Sequence, residues 1–418
     1  MTIVAMSVAL LALFLLVVFL LGRASGSVVK WRLYEALLFW HTLTWIGACV
    51  LLVIEPTGSI ATFSTIVSIS QISCIAGALF AAASASTAPV ALIRPMSSLE
   101  QTIAVGISLV SALVCLAFVV AVLHNEQLGL MLASVITGDG NFLEYRLTMS
   151  TGDAVYLAPG YVKQFRDVLL PASLLALAAF GNPRRPWFVT VLGIIGASAA
   201  VLSGERSVIL IYVFMFGAIF ALKPRRTARA RWVVPTIVAV LLFGAFMGAT
   251  VLLGRADTEG GGLSLLSESA TSLFDRLVLT VARENAGGFL VWGPMAPTWG
   301  ATWLSDLSTI LPGTQSGLSN ELHDLLGGGP QGTSPLGLPS DAFLAWGFAG
   351  VALMPFLYCV GLQRADEALL HSELTLPRAL RVIMVPLSFA WYSPFLFILN
   401  GGIILVCAAL SVRMLRRV

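Results

Sequence analysis

The sequence predicts an all-α polytopic membrane protein with about eleven transmembrane helices and two long external loops that contain short helices. Two observations lead to this prediction. The 418 residues are 58% hydrophobic and 11% charged, whereas an ordinary soluble domain is about 25% charged. Apolar runs long enough to cross about 30 Å of hydrocarbon recur along the chain. Their continuity favours helices over strands, because only helices and closed barrels satisfy their backbone in lipid.

These apolar runs divide the chain into eleven predicted spans, and residues 1–418 are expected to form one integral membrane domain. The first run has no basic start and is longer than the apolar part of a signal peptide, so we expect it to be retained. Cleavage after the small residues Ala24, Ser25 and Gly26 is the alternative. The predicted spans are 2–22, 36–54, 60–86, 102–123, 167–181, 187–203, 207–222, 232–253, 341–361, 382–395 and 397–412.

Basic residues collect in alternate connections between the predicted spans, as they do on the cytoplasmic side of membrane proteins. This pattern predicts an external N-terminus and a cytoplasmic C-terminus, with seventeen of the 24 Lys and Arg residues inside. The basic residues left outside are Arg146, Lys163, Arg166, Arg206, Arg255, Arg276 and Arg283.

Two predicted external loops are long, residues 124–166 and residues 254–340. External loops of this length are usually functional or contain short helices of their own. Apolar residues at three-to-four spacing predict a helix over 263–289 in the second loop. A further short helix is predicted over 318–326, before a run of glycines.

The cysteines and histidines indicate neither disulfides nor a metal site. All five cysteines lie in predicted spans, and none has the CxxC spacing of a metal or redox motif. No two of the four histidines are spaced as ligands on one helix face. The sequence predicts no cofactor and no nucleic-acid partner.

The predicted hairpin between the sixth and seventh spans has an ion pair at its tip, Glu205 and Arg206. Both flanks are apolar, so these charges lie near the edge of the hydrocarbon, where ionisable residues are expensive and often functional. We expect Arg206 to act in function and Glu205 to orient it. A charge pair that only marks the turn is the alternative.

Each long loop also contains arginines, whose planar guanidinium groups bind phosphate oxygens bidentately. In the first loop the candidates are Arg146 and Arg166, although Arg166 could equally be an interfacial anchor. In the second loop Arg276 and Arg283 are seven residues apart. Two regular helical turns would place them on one face about 10.5 Å apart. A solvated face with Asp275 and Glu284 as local partners is the alternative.

A carboxylate, an imidazole and a second carboxylate follow closely in the second loop, at Glu321, His323 and Asp324. Histidine titrates near neutral pH, and an adjacent carboxylate can raise its basicity. Such a cluster is suited to deprotonating a hydroxyl nucleophile. In a regular helix residues 321 and 324 share a face and His323 does not, so which group acts as the base stays open.

Three stretches together resemble the Wzy-type oligosaccharide repeat-unit polymerases, relatives of the O-antigen ligases with a GT-C-like membrane fold. The resemblance covers most of the chain. The stretches are EYRLTMSTGDAVYLAPGYVKQFRDVLLP (144–171), LSGERSVIL (202–210), which matches the family's Gly-x-Arg-Ser hairpin tip, and LPGTQSGLSNELHDLLGG (311–328), followed by LPSDAFLAWGFAGVAL (338–353). The ligases have several histidines in the large loop, whereas His323 stands alone here, which favours a polymerase.

The resemblance implies a bacterial inner-membrane enzyme that transfers a glycan, with inversion, from undecaprenyl diphosphate to another lipid-linked repeat unit. Its partners would be that lipid-linked oligosaccharide, membrane lipid and a chain-length regulator. It would need no metal, because the diphosphate is already an activated leaving group. The implied diphosphate ligands are Arg206, Arg146, Arg276, Arg283 and Arg166, and the implied acceptor base is His323, Glu321 or Asp324. The aromatic residues that could stack on sugars or anchor at the interface are Tyr156, Trp299 and Trp303.

Two other functions remain open. An O-antigen ligase or another polyprenyl-dependent glycosyltransferase would use the same donor chemistry. A flippase or secondary transporter belongs to a different class, and such proteins usually show repeat halves, interrupted helices and buried charge within spans. The predicted spans are nearly devoid of charge, which disfavours transport.

Overall fold

A computed structural model describes residues 32–85, 96–137, 145, 159–181, 186–203, 206–222, 275–308, 321–322, 325, 336–388, 391 and 393–415. Within these ranges the secondary structure is helical and contains no strand. Five of the described helices are long and apolar enough to cross a membrane, judged by length and composition. These findings support the predicted all-α membrane class.

Three π-helical turns interrupt or extend the described helices. They are Phe165–Leu169, Asp275–Thr280 and Ile398–Gly402. The helices are α1 (Leu33–Ile54), α2 (Gly58–Ala83), α3 (Ser98–His124), α4 (Glu126–Thr137), α5 (Pro159–Gln164), α6 (Leu170–Ala179), α7 (Pro186–Leu202), α8 (Arg206–Leu222), α9 (Val281–Trp292), α10 (Ala301–Ser308), α11 (Leu338–Leu370), α12 (Thr375–Ser388), α13 (Pro394–Phe397) and α14 (Ile403–Leu415).

Several predicted spans coincide with helices of membrane-crossing length. Spans 36–54, 60–86, 102–123, 341–361 and 397–412 overlap the five candidates. Span 187–203 corresponds to the shorter apolar helix Trp187–Leu202, and spans 167–181, 207–222 and 382–395 overlap α6, α8 and α12. Spans 2–22 and 232–253 lie outside the described residues, so the total of eleven stays a prediction.

The predicted boundary between the last two spans was wrong by a few residues. The final helix begins at Pro394, where Ser393 accepts a hydrogen bond from the Leu396 N–H at 3.5 Å. Proline suits the first helical turn because its missing N–H would have no helical partner there. The chain then continues as one candidate span, Pro394–Leu415, across an irregular turn at Asn400 and Gly401.

The contacts divide the chain into two compact units. Unit 1 comprises Met1–Ala88, Thr271–Glu367 and Ser388–Ile398. Unit 2 comprises Pro89–Ala270, Ala368–Leu387 and Leu399–Val418.

Unit 1 is built on the hairpin of α1 and α2. The Trp45 indole N–H donates to Ser68 Oγ at 3.2 Å, and Gln71 Nε2 donates to Thr42 Oγ1 at 2.9 Å, which fixes an antiparallel register. Helix α9 packs against this hairpin through an apolar cluster. Its buried members are Trp45, Ala48, Leu51, Leu52, Ile60, Ala61, Phe63, Val67, Ala282 and Ala286.

Unit 2 packs α3, α6, α7 and α8 together. Helix α6 is buried almost throughout, from Leu170 to Leu177. Buried serines join it to α3, because the Ser108 hydroxyl donates to Ser173 Oγ at 2.8 Å. A hydroxyl pair of this kind satisfies polar groups that would be costly to bury alone.

Candidate functional site

Unit 2 buries two neighbouring residues of opposite charge, Arg166 and Asp167, in the π-helical turn between α5 and α6. Their side chains are 3% and 2% exposed. Arg166 donates from Nε to Asp167 Oδ1 at 2.6 Å and from Nη2 to Oδ2 at 3.2 Å, a bidentate pairing. Lys163 Nζ lies 3.7 Å from Asp167 Oδ2. Charges are expensive to bury, so a buried ion pair marks a candidate functional site.

A second irregular segment contacts this π-helical turn. Gln164 Nε2 donates to the carbonyl oxygen of Leu399 at 2.6 Å. Gly401 has a φ of +89°, and a Cβ there would lie 2.8 Å from Val168 Cγ2. Thus two helical segments in unit 2 touch where each departs from regular α-helical geometry. Such π-helical insertions are rare and frequently occur at functional sites.

Helix α8 connects this buried pair to the predicted hairpin tip. The Tyr212 hydroxyl donates to the carbonyl oxygen of Arg166 at 2.8 Å. Tyr212 lies six residues after Arg206, the first residue of α8, which is about 9 Å along a helix axis. The structure therefore brings Arg166 close to the helix that Arg206 begins. The side chain of Arg206 lies outside the described residues.

Tyr145 attaches the first predicted loop to the same hairpin. Its ring is fully buried, and its hydroxyl donates to the carbonyl oxygen of Leu202 at 2.6 Å. Burial raises the pKa of Tyr145 to about 12, so the hydroxyl keeps its proton at neutral pH. Leu202 is the last residue of α7. The neighbour of Arg146 is therefore held at the tip, while Arg146 itself lies outside the described residues.

The predicted acid–base segment belongs to unit 1. Leu322 is fully buried in a small apolar cluster with Trp292, Leu336 and Leu344, and the adjacent Glu321 is exposed. This cluster fixes Leu322 against the end of α9 and the start of α11. His323 and Asp324 lie outside the described residues.

The two arginines predicted to share one helix face do not lie on one regular helix. Arg276 falls in the π-helical turn Asp275–Thr280 and Arg283 in α9. A π-helical turn bonds i to i+5 and so changes the angular register. The regular α-helix assumed over both positions was therefore wrong, and the placement of both side chains on one face stays a prediction. Arg283 is 57% exposed, with Nη2 4.0 Å from Oε1 of the exposed Glu55. The Arg276 side chain lies outside the described residues.

Two buried polar residues of unit 1 were missed by the sequence reasoning, Asn285 and Asp341. Asn285 Oδ1 accepts the Gly337 N–H at 2.6 Å, and the Ser340 hydroxyl donates to the Asn285 carbonyl at 3.3 Å. Asp341 is 2% exposed. These bonds tie α9 to the start of α11. The sequence did contain one signal for Asp341, because this carboxylate is the first residue of the predicted apolar span 341–361.

The aromatic candidates differ in environment. The Trp303 indole N–H donates to Asp341 Oδ2 at 2.7 Å, and its ring meets Trp346 edge-on at 6.4 Å between centroids. Trp299 is 75% exposed. Trp303 is therefore part of the scaffold, and Trp299 presents its ring at the surface. Tyr156 lies outside the described residues.

No family model matches the chain, and no curated protein or solved structure matches it significantly. Within the described ranges, no group of three or more His, Cys, Asp or Glu side chains could hold a metal. The fold and the contacts define a class: an all-helical protein with helices of membrane-crossing length and charge buried at a helix irregularity.

Proposed function

We propose that the protein polymerises lipid-linked oligosaccharide repeat units at the external face of a bacterial inner membrane. An acceptor hydroxyl oxygen attacks the anomeric carbon of the donor glycan, with inversion. The bond from that carbon to the diphosphate oxygen breaks, the acceptor proton passes to a base, and polyprenyl diphosphate leaves with the bonding electron pair. The three stretches that resemble Wzy-type polymerases support this reaction.

One structural observation carries the proposal: the buried Arg166–Asp167 pair lies beside the helix that begins with Arg206. Preorganised cations stabilise charge that develops on a leaving group, most strongly where water is excluded. The Tyr145 contact at Leu202 supports Arg146 as a second cation near this hairpin.

The proposed roles differ among the arginines. Arg206 and Arg146 bind the donor diphosphate in unit 2. Arg166 is a positioning residue, because its guanidinium is buried against Asp167 and holds the π-helical turn. In unit 1, Arg276 and Arg283 bind the same class of lipid diphosphate.

The proposed acceptor base is His323, Glu321 or Asp324. The burial of Leu322 in the cluster with Trp292 supports a defined position for this segment. A base of this kind needs only to reach the acceptor hydroxyl through one hydrogen bond or one water.

Complementation of a polymerase-null strain tests the proposal. The wild-type chain should restore a ladder of glycan lengths, whereas Arg206→Ala and His323→Ala should leave single-repeat glycan. Arg413→Ala is the matched control, since this exposed arginine lies near the predicted cytoplasmic end and should give a full ladder. Full ladders from both site variants at equal protein levels would contradict the site assignment.

A flippase is the second candidate, because a specific observation favours it. Transporters bind substrates where helices are interrupted and charges are buried, and unit 2 contains such a charge pair beside an irregular turn. Complementation of a flippase-null strain separates the two functions. Restored export there, with no ladder in the polymerase-null strain, would replace the polymerase proposal.

A further inference from the structure

A segment of unit 1 that runs from the end of α9 into α10 exposes large apolar side chains around a tight turn. Met295, Trp299 and Leu304 are each more than 60% exposed. No residue from Gly293 to Ser305 carries a charge. We call residues 295–304 the tryptophan turn. A charge-free surface of this kind is unusual where a protein faces water.

The tryptophan turn is held rigidly despite this exposure. Trp299 has a φ of +53°, a strained conformation for a bulky residue that persists only where the surroundings enforce it. The N–H of Thr298 donates to the Leu344 carbonyl at 2.8 Å, and the N–H of Gly300 donates to the Ala345 carbonyl at 3.2 Å. The residues on both sides of Trp299 are therefore bonded to α11.

Those two carbonyls lie just before a break in α11. Gly347 has a φ of +63° and a ψ of −151°, which no regular helix contains. Carbonyls next to a helix end need donors from elsewhere, and the tryptophan turn provides two. The turn and the break therefore support each other.

Exposed apolar side chains also follow the break in α11. Phe348, Leu353 and Leu357 are each more than half exposed, and they lie in a helix of membrane-crossing length. Exposed apolar residues on such a helix suit contact with lipid. The residues on both sides of Trp299 are bonded to carbonyls of α11 that lie four and three residues before Phe348.

We infer that the tryptophan turn is seated in the lipid interface of the membrane, where it anchors the break in α11. Tryptophan prefers the headgroup level, since its large ring is apolar and its indole N–H is polar. Stacking on a sugar is the competing role for Trp299. Sugar sites place polar groups around the ring, whereas the large exposed side chains nearest to Trp299 in the sequence are Met295 and Leu304. By this anchoring, the tryptophan turn fixes the membrane depth of Asp341, which lies before the break at Gly347.

Depth-dependent fluorescence quenching tests this inference without reference to the proposed function. The full-length protein is placed in nanodiscs whose lipids have bromines near the headgroup or near the chain end. The contribution of Trp299 is the difference between wild type and Trp299→Phe. We expect bromines near the headgroup to remove most of this contribution, with a smaller loss from bromines near the chain end and little loss from aqueous iodide.

Trp391→Phe is the matched control, since Trp391 is fully buried and its contribution should resist both lipid bromines and iodide. Leu304→Trp adds a reporter to the tryptophan turn without removing a residue that holds it, and it should be quenched like Trp299. Quenching of Trp299 and of the Leu304→Trp reporter by iodide, with no loss from brominated lipid, would overturn the inference and favour a water-facing sugar platform.

Discussion

One arginine–carboxylate pair of unit 2 and one of unit 1 differ sharply in their surroundings. In unit 2, Arg166 and Asp167 are almost wholly buried and form two hydrogen bonds. In unit 1, Arg283 and Glu55 are 57% and 51% exposed, and their nearest charged atoms are 4.0 Å apart. Both pairs join an arginine to a carboxylate, so the contrast shows the combined effect of burial and hydrogen bonding.

The difference determines what each pair can do. An exposed pair is screened by water and contributes about 0–1 kcal/mol to stability. Removing one partner of a buried pair costs about 3–5 kcal/mol, because the remaining charge is left without compensation. Arg166 is thus needed for the folded structure of unit 2. Arg283 can leave Glu55 and bind a ligand with little loss of stability.

The largest expected effect follows from Asp167→Asn. The variant leaves the buried Arg166 without its counter-charge, so we expect a loss of about 3–5 kcal/mol in the free energy of unfolding. Unfolding in mixed detergent micelles, followed by circular dichroism, measures this loss.

A double variant determines whether charge or shape causes that loss. In Arg166→Met with Asp167→Leu both charges are removed, and the stability should recover substantially towards wild type. A double variant as unstable as Asp167→Asn would show that the pair is not held by its electrostatics. Glycan polymerisation should stay low in both variants, because the π-helical turn loses its fixed geometry.

Gly401→Ala should disturb the packing of Val168, which follows the buried Arg166–Asp167 pair in the π-helical turn. A Cβ at Gly401 would press on Val168, and the φ of +89° is unfavourable for alanine, so we expect a loss of about 1–3 kcal/mol. Gly361→Ala is the control, because a Cβ in that exposed helical position meets nothing within 4 Å. The control should raise stability by roughly 0.5–1 kcal/mol. Equal effects at the two glycines would refute the close contact.

Tyr145→Phe removes the single hydroxyl that bonds Tyr145 to Leu202. We expect a loss of about 1 kcal/mol, with more if the Leu202 carbonyl finds no other donor. Glycan polymerisation should fall by more than the small loss of folding free energy would explain. The reason is that Arg146 is next to Tyr145, which no longer bonds to Leu202. Tyr161→Phe, at an exposed ring in the same unit, serves as the comparison and should leave the ladder intact.

The smallest stability effect is expected for Arg283→Ala and Glu55→Ala, each within about 0.5 kcal/mol of wild type. The two variants should differ in polymerisation activity. Loss of Arg283 should shorten the ladder if it binds diphosphate, whereas loss of Glu55 should not. Matching losses of activity in both variants would mean that the ion pair itself is what matters.

Hydropathy predicted the helices better than the sites. Spans such as 36–54 and 102–123 were found because apolar length is a local property of the sequence. The burial of Arg166 was not predicted, since this residue was expected at the end of a loop. The helix instead starts at Pro159, so Arg166 is already inside it. Proline at a first helical position is a signal that could have indicated this start.

Long-range contacts account for most of what the sequence could not reveal. Tyr145 bonds to a residue 57 positions away, and Asn285 bonds to one 52 positions away. The break at Gly347 depends on donors from the tryptophan turn, and an isolated glycine in an apolar run indicates no such break. Side-chain type identified the arginines as candidates, whereas their burial depended on the packing of distant segments.

Binding of undecaprenyl diphosphate is the most direct test of guanidinium capture beside the α7–α8 hairpin. A ligand that binds only the folded state raises the unfolding temperature, and the increase grows with the logarithm of the ligand concentration divided by Kd. Wild type and Arg413→Ala should be stabilised by undecaprenyl diphosphate in detergent, and Arg206→Ala should lose most of that increase. An undiminished increase in Arg206→Ala would contradict a diphosphate site at this hairpin.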